Sequence, residues 1–472
     1  MIRKLSSLLE NKKALTILLV FFLAGFCVYV FGIEGFNGLY GQDSHAYLKY
    51  AKELQAFMLR GESTKEFYWP ILYPLIGALI GLCGLPLIVV MQGISFASFV
   101  LILFVLNKII RLLYAKDGTL FIILAAATQV YFLRGGFLSM SDMLGALFVL
   151  LVVYKFLNWN KQKRFIHLFF IILFAVCAFL TRYPSVTIIA PIILYVAWYY
   201  FSKWSALYKV VFSVVAISLI VVVAIFNNQF YSVGLNVFKI WKFRNWVSFS
   251  LSGRDGEHIL TIPNIMYIFG NLFHIGYLSF GVLLIPFYKK LKINRVLLAC
   301  ILLYAFLLIG LNTQNYRFLL LVHPVVLIVI FPAFIALWEW LKKKGLSVLF
   351  VVGTLTFNIA FFAFSFSKTL KVFSTEREVV QEIIKLKTNE PIYSFYVDQS
   401  FPTYGVTNEV RNFYMEDYMQ FESGALVVFN EAQLKDQWKN HRVMKNWNRL
   451  KANYQLDTLA AFNSNWKVYR IK

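Results

Sequence analysis

The sequence predicts an α-helical polytopic membrane protein with a small extracytoplasmic α/β domain at its C-terminus, and three observations carry that prediction. Of 472 residues, 60% are hydrophobic and 15% charged, against about 45–50% and about 25% in an ordinary soluble domain. Apolar runs recur from Ala14 to Phe364, most of them near the roughly 20 residues that a helix needs to cross a bilayer. The last hundred residues instead show short strand-like runs between polar turns.

Spans are expected near 14–33, 86–107, 118–134, 142–159, 166–181, 184–201, 209–227, 264–288, 296–311, 316–341 and 346–365, eleven in all. The net charge of +23, which in a soluble chain would suggest nucleic acid, here orients the membrane domain and implies no nucleic-acid partner. With the N-terminus inside, the short inner segments hold 20 Lys and Arg and only Glu10 and Asp117 as acids. That asymmetry is the positive-inside pattern, and an odd number of spans puts the tail outside. The predicted organisation is a membrane domain over 1–365, with outer loops 34–85 and 227–263, and an extracytoplasmic domain over 366–472.

The first apolar run follows Arg3, Lys4, Lys12 and Lys13 and has no small-residue cleavage site, so it reads as an uncleaved anchor. The outer segment after it contains Gly41-Gln42-Asp43-Ser44-His45-Ala46-Tyr47 and then Tyr47, Tyr50 or Ala51, Leu54, and Phe57 or Met58 at helical spacing, an amphipathic helix suited to the membrane surface. Trp69 to Gly84 reads as an interfacial helix or partial insertion, since a crossing there would reverse every later loop. In the second outer loop, Phe238 to Trp246 interleaves aromatics with Lys239, Lys242 and Arg244, as suits a helix at headgroup level where cations meet phosphates. In the tail, 391–397 and 424–429 read as strands, 431–450 as a helix and 456–471 as a closing strand pair.

Almost no ionisable residue falls mid-span, whereas the acids gather on outer loops and outer helix ends. A proton-coupled transporter or a flippase would carry ionisable groups along a central path, so the pattern moves the chemistry to the outer surface. The four cysteines lie in apolar stretches without disulfide or metal spacing, and the absence of an Asn-x-Ser/Thr sequon favours a bacterial protein. Asp255, Glu257 and His258, with Gly253 and Gly256 beside them, read as a solvated turn rather than a metal site. His45 and His323 have no partner at ligand spacing.

Two readings are open for Asp43: a general base towards a hydroxyl, or a helix cap shared with Ser44. Asp142, in Ser139-Met140-Ser141-Asp142, begins a span and is open to the same pair of readings. Arg182 and Arg317 stand where spans meet the outer face, placed either to snorkel to lipid or to grip a phosphate with two parallel hydrogen bonds.

Taken together, Asp43 with Tyr47, Pro70-x-x-Tyr73-Pro74, Ser141-Asp142, Arg182-Tyr183-Pro184, Tyr316-Arg317 and an exported α/β tail resemble the GT-C class of integral-membrane glycosyltransferases. The likeness is to branches such as the protein mannosyltransferases and the lipid A aminoarabinose transferase. The resemblance implies a hexosyl- or pentosyl-transferring enzyme of the cytoplasmic membrane. Its donor would be a sugar on polyprenyl phosphate and its acceptor a glycan, lipid or exported protein, with membrane lipids around it. It implies that Asp43 deprotonates the acceptor, that the displacement inverts the anomeric carbon, and that Asp142 acts beside it. Arg182, Arg317 and Arg244 would hold the lipid phosphate, and Tyr47, Tyr73 and Tyr183 would line the substrate site. No cofactor is expected. Several branches pair the first-loop acid with a neighbouring one, whereas Asp43 lies between Gln42 and Ser44, which leaves no paired-acid ligand for a divalent metal. A polysaccharide polymerase is the competing enzyme reading, which the early Asp43 and the exported tail disfavour.

Overall fold

The computed structural model describes residues 9–65, 67, 69–203, 205, 214, 218, 251–256 and 258–472. The expected span at 209–227 apart from residues 214 and 218, the interfacial segment 238–246 with Arg244, and Glu257 lie outside the described residues.

Among the described residues, six helices are long and apolar enough to cross a membrane: α1 (Lys12–Ile33), α4 (Leu87–Tyr114), α7 (Asp142–Gln162), α9 (Ser185–Lys203), α11 (His323–Lys343) and α12 (Ser347–Lys385). A seventh is counted if the bent pair α5 (Thr119–Ala127) and α6 (Val130–Phe137) is one span. That pair corrects the straight crossing expected at 118–134, because the chain turns by 75° at Thr128 and Gln129. The crossing expected at 264–288 is corrected too: it consists of two four-residue turns, Asn264–Tyr267 and Gly270–Phe273, and a 3-10 stretch, Gly281–Lys290, interrupted by Pro286. Proline cannot donate to a helical ladder, and hydropathy alone does not register that. Helices α8 (Phe165–Thr181) and α10 (Arg295–Gly310) are shorter apolar helices at expected positions.

Between α1 and α4 lie α2 (Gly41–Arg60) and α3 (Leu72–Gly81). At 10 residues α3 spans about 15 Å, half a hydrocarbon core, in keeping with an interfacial or partly inserted helix. Helix α2 buries Ser44, His45, Tyr47, Leu48, Ala51 and Leu54. That stripe recurs at three and four residues and contains the expected Tyr47, Ala51 and Leu54, while Phe57 at its end is 53% exposed. It packs on Tyr73, Met91, Leu144 and Tyr404, so α2 is clasped between the membrane domain and the tail.

Helix α12 runs unbroken through 39 residues and past the domain boundary expected at 365. Its length of about 58 Å is nearly twice a hydrocarbon core. The C-terminal part, Val379 to Ile383, packs under the tail sheet. The order of that sheet is β4-β3-β5-β7-β6, with β3 (Ile392–Ser394), β4 (Val410–Asn412), β5 (Leu426–Phe429), β6 (Leu456–Ala461) and β7 (Lys467–Ile471). Strand β3 is parallel to β4 and β5, while β7 runs antiparallel to β5 and β6. The helix expected over 431–450 divides into Glu431–Leu434 and α13 (Arg442–Asn453). The Asp255 turn closes a hairpin of β1 (Ser252–Asp255) and β2 (His258–Pro263), with Asp255 opposite His258.

Candidate active site

Three segments far apart in sequence meet at one end of the bundle, because buried polar contacts pin their loops together. Gln92 Nε2 donates to the carbonyls of Phe36 (3.2 Å) and Phe137 (3.0 Å). Ser139 N donates to Gly38 O at 2.8 Å. The Tyr47 hydroxyl and Ser141 Oγ lie 2.8 Å apart. The loop ahead of α2 and the turn ahead of α7 are thereby held side by side, and each delivers an acid. Gln92 carries no motif; its only trace in the sequence is an amide within an apolar helix.

Asp43 stands in the first turn of α2 and does not cap it. No side chain caps the helix at its N-cap, Tyr40, and Ser44 inside the first turn accepts from Tyr40 N through its Oγ at 2.7 Å. The Asp43 carboxylate instead accepts from Arg317 Nη1 at 2.9 Å. Asp142, the first residue of α7, likewise serves as more than a cap. Its Oδ2 accepts from Arg317 Nη2 at 2.9 Å and Nε at 3.2 Å, and its Oδ1 faces Arg182 Nη1 at 3.0 Å. Two carboxylates and two guanidiniums form one chain, Asp43–Arg317–Asp142–Arg182. Asp142 is 4% exposed, Arg182 13%, Arg317 14% and Asp43 33%, so the acid at the open end is Asp43.

Local structure sets each arginine. Arg182 ends α8 in extended backbone, and its side chain crosses Gly145 of α7, where a Cβ would lie 2.9 Å from Arg182 Cγ. Arg317 is the second residue of a 3-10 turn, Tyr316–Leu321, whose first N–H groups lack partners within the turn, and the cap Asn315 accepts from Arg317 N through its Oδ1 at 3.0 Å.

A cavity of about 300 Å³ opens beside the chain and is lined by Asp43, Tyr47, Trp69, Arg182, Tyr183, Tyr304, Asn315 and Arg317. The structure thus brings together Asp43, Tyr47, Arg182, Tyr183 and Arg317 of the residues expected from sequence. Asp142 lies behind this wall and anchors both arginines, facing a smaller pocket with Arg134. Tyr73 departs from the expectation of substrate contact. It is fully buried, its hydroxyl donates to Met91 O at 2.8 Å beside Ser95 Oγ, and its ring backs Tyr47 edge-on at 5.3 Å. Burial pushes the Tyr47 hydroxyl up to about 12, so it serves as a hydrogen-bonding wall and not as a base. Among the described residues no group of three His, Cys, Asp or Glu is placed to hold a metal ion.

His45, without a partner at motif spacing, has one in space. Its Nε2 lies 3.1 Å from Glu376 Oε2 on α12 and its Nδ1 3.0 Å from Thr403 Oγ1 in the tail. His323 is also partnered, with Nδ1 3.1 Å from Asn271 Oδ1 and Nε2 3.3 Å from Ala125 O.

The bundle, the clasped first-loop helix and the α/β tail make up a fold shared with ArnT, a protein of known structure. The chain superposes on ArnT from Cupriavidus metallidurans bound to undecaprenyl phosphate with a TM-score of 0.64 at 14% identity, covering 97% of this chain and 98% of that one. It superposes on the same protein in the apo state with a TM-score of 0.57 at 15% identity, covering 96% and 98%. No family model matches the sequence, and no curated protein matches it.

Proposed function

We propose that this chain transfers a sugar from a polyprenyl-phosphate donor to an acceptor hydroxyl at the outer face of the cytoplasmic membrane of a bacterium. The observation that carries the reading is the meeting of Asp43, Arg182 and Arg317 on one cavity, in a fold shared with a protein solved with undecaprenyl phosphate. An apolar groove of about 250 Å³ beside α10 and α11 shares Tyr304 with that cavity, which suits a lipid chain attached to a phosphate held by the arginines. Nucleotide sugars stay in the cytoplasm, so an outward-facing transferase needs a lipid-carried donor.

The acceptor hydroxyl attacks the anomeric carbon as its C–O bond to phosphate breaks, with inversion. Asp43 takes the hydroxyl proton, and the polyprenyl phosphate leaves with its negative charge on the bridging oxygen. Phosphate is a good leaving group, so the need is charge stabilisation and not a strong general acid. Arg182 and Arg317 supply it, in a partly buried setting where such contacts are stronger than in water. Arg317 holds one oxygen of Asp43. A phosphate competing for that guanidinium frees the carboxylate, so donor binding and readiness of the base are linked.

Reconstitution of the full chain with radiolabelled polyprenyl-phosphate sugars and a membrane extract as acceptor tests this. Wild type is expected to transfer label, and Asp43→Asn to lose about 10²- to 10⁴-fold in rate. Equal transfer by both proteins removes Asp43 as base.

A further inference from the structure

The turn that carries Asp43 is held from two sides. Residues two apart on a helix point about 200° away from each other, so Asp43 and His45 leave α2 in nearly opposite directions. Asp43 reaches Arg317 of the membrane domain. His45 reaches Glu376 on the C-terminal half of α12 and Thr403 of the tail. Both His45 and Glu376 are 1% exposed, and the ring of Tyr404 closes on His45 edge-on at 5.8 Å.

A buried carboxylate is costly unless it is paired and hydrogen-bonded, and among the described residues His45 is the hydrogen-bond partner of Glu376. A carboxylate only accepts, so Nε2 of His45 carries a proton; the Thr403 hydroxyl can donate to Nδ1 or accept from it. The three groups therefore lock ring orientation as well as position. An apolar contact would hold the tail equally close without fixing the rotation of the first turn of α2.

We propose that His45, through Glu376 and Thr403, is a positioning residue by which the tail sets the angle of Asp43 in the cavity. The clamp rests on the transferase reading for its effect on turnover, but its effect on α2 is independent of any reaction. Misplacing a reacting group by an ångström costs on the order of 100-fold in rate without a comparable loss of binding.

The test uses the full chain in nanodiscs with two readouts, transfer kinetics and amide hydrogen exchange over residues 41–48. Glu376→Ala and His45→Ala are expected to lower kcat on the order of 100-fold with donor KM within about threefold. Exchange over 41–48 is expected to rise about tenfold in both. Glu376→Gln, which keeps an acceptor for Nε2–H, should recover most of both losses, a rescue that loss of bulk packing does not predict. Thr403→Val, which removes one hydroxyl, gives a smaller shift of the same kind and keeps the test open if the alanine variants fail to fold. Folded alanine variants with kcat within about threefold of wild type or with unchanged exchange over 41–48, or, where these do not fold, a Thr403→Val variant that shifts neither readout, overturn the proposal. If wild type itself transfers no sugar, the transferase reading falls; exchange then decides the clamp alone, a rise in the variants supporting it and no change overturning it.

Discussion

Arg317 and Asp43, 274 positions apart in the chain, meet at 2.9 Å at the mouth of a cavity. The same guanidinium turns its other edge to Asp142 at 2.9 Å, so one side chain joins the first outer loop to the start of α7. Arg317→Lys keeps the charge and loses the planar fork that spans both acids. We expect Arg317→Lys to lower kcat/KM for a polyprenyl-phosphate sugar by about 10²-fold, and Arg317→Ala by as much or more. Steady-state transfer rates across a donor titration check this, and near-wild-type activity of the lysine variant would remove the bridging role.

Asp142→Asn removes the Asp142 counter-ion of Arg182 and one of the two acids paired with Arg317, at a site that is 4% exposed. Breaking a buried pair by removing one partner costs about 3–5 kcal/mol. The variant is expected to melt well below wild type and to recover more than wild type does on adding polyprenyl phosphate, whose phosphate replaces the lost charge. Thermal unfolding with and without the lipid phosphate reads both effects.

Gly38 sits at φ +85°, and a Cβ there would lie 2.3 Å from Ser139 Oγ and 2.9 Å from Gln92 Cγ. Gly38→Ala combines left-handed strain with a clash against the two residues that pin the acid-bearing loops, so a loss of about 2 kcal/mol or more is expected. Transfer activity should fall with stability, because the displaced turn carries Asp142. A melting temperature equal to wild type would show that the loop yields without cost.

In the tail, burial raises Asp398 above the ordinary carboxylate range, although Asn412 donates to its Oδ2 at 2.7 Å. The raised value means that the folded protein keeps the proton to higher pH than the unfolded chain, whose Asp titrates near about 4. Stability from this group is complete below that value and falls as pH rises through the folded one. Asp398→Asn removes the penalty, so its gain in melting temperature over wild type should be larger at neutral pH than in mild acid. An equal gain at both would exclude the titration.

Much of the membrane domain was legible because its signals are local. Apolar length marked α1, α4 and α7, and the sorting of Lys and Arg from acids moved attention to Asp43 and the outer helix ends. Residue type at those ends singled out Arg182 and Arg317, which the structure brings to one cavity. What escaped was relational. Whether Asp142 caps a helix or neutralises two arginines depends on residues 40 and 175 positions away, and no periodicity records such a distance. His45 is a lone histidine in the sequence and half of a buried pair in space, with Glu376 331 positions on. The bend at Thr128 and the broken stretch after Asn264 escaped because hydropathy averages over the polar and proline positions where a helix gives way.

From the unbroken course of α12 we expect the proposed transfer to depend on the physical state of the lipid. A rod of 39 residues anchored at one end among the spans and at the other under the tail sheet has a fixed reach. When the bilayer thickens or thins, such a rod tilts, and Glu376 rises or sinks with it. Since Glu376 meets His45 one half-turn from Asp43, the proposed transfer is expected to run at different rates in short-chain and long-chain lipid, which transfer assays in the two bilayers check.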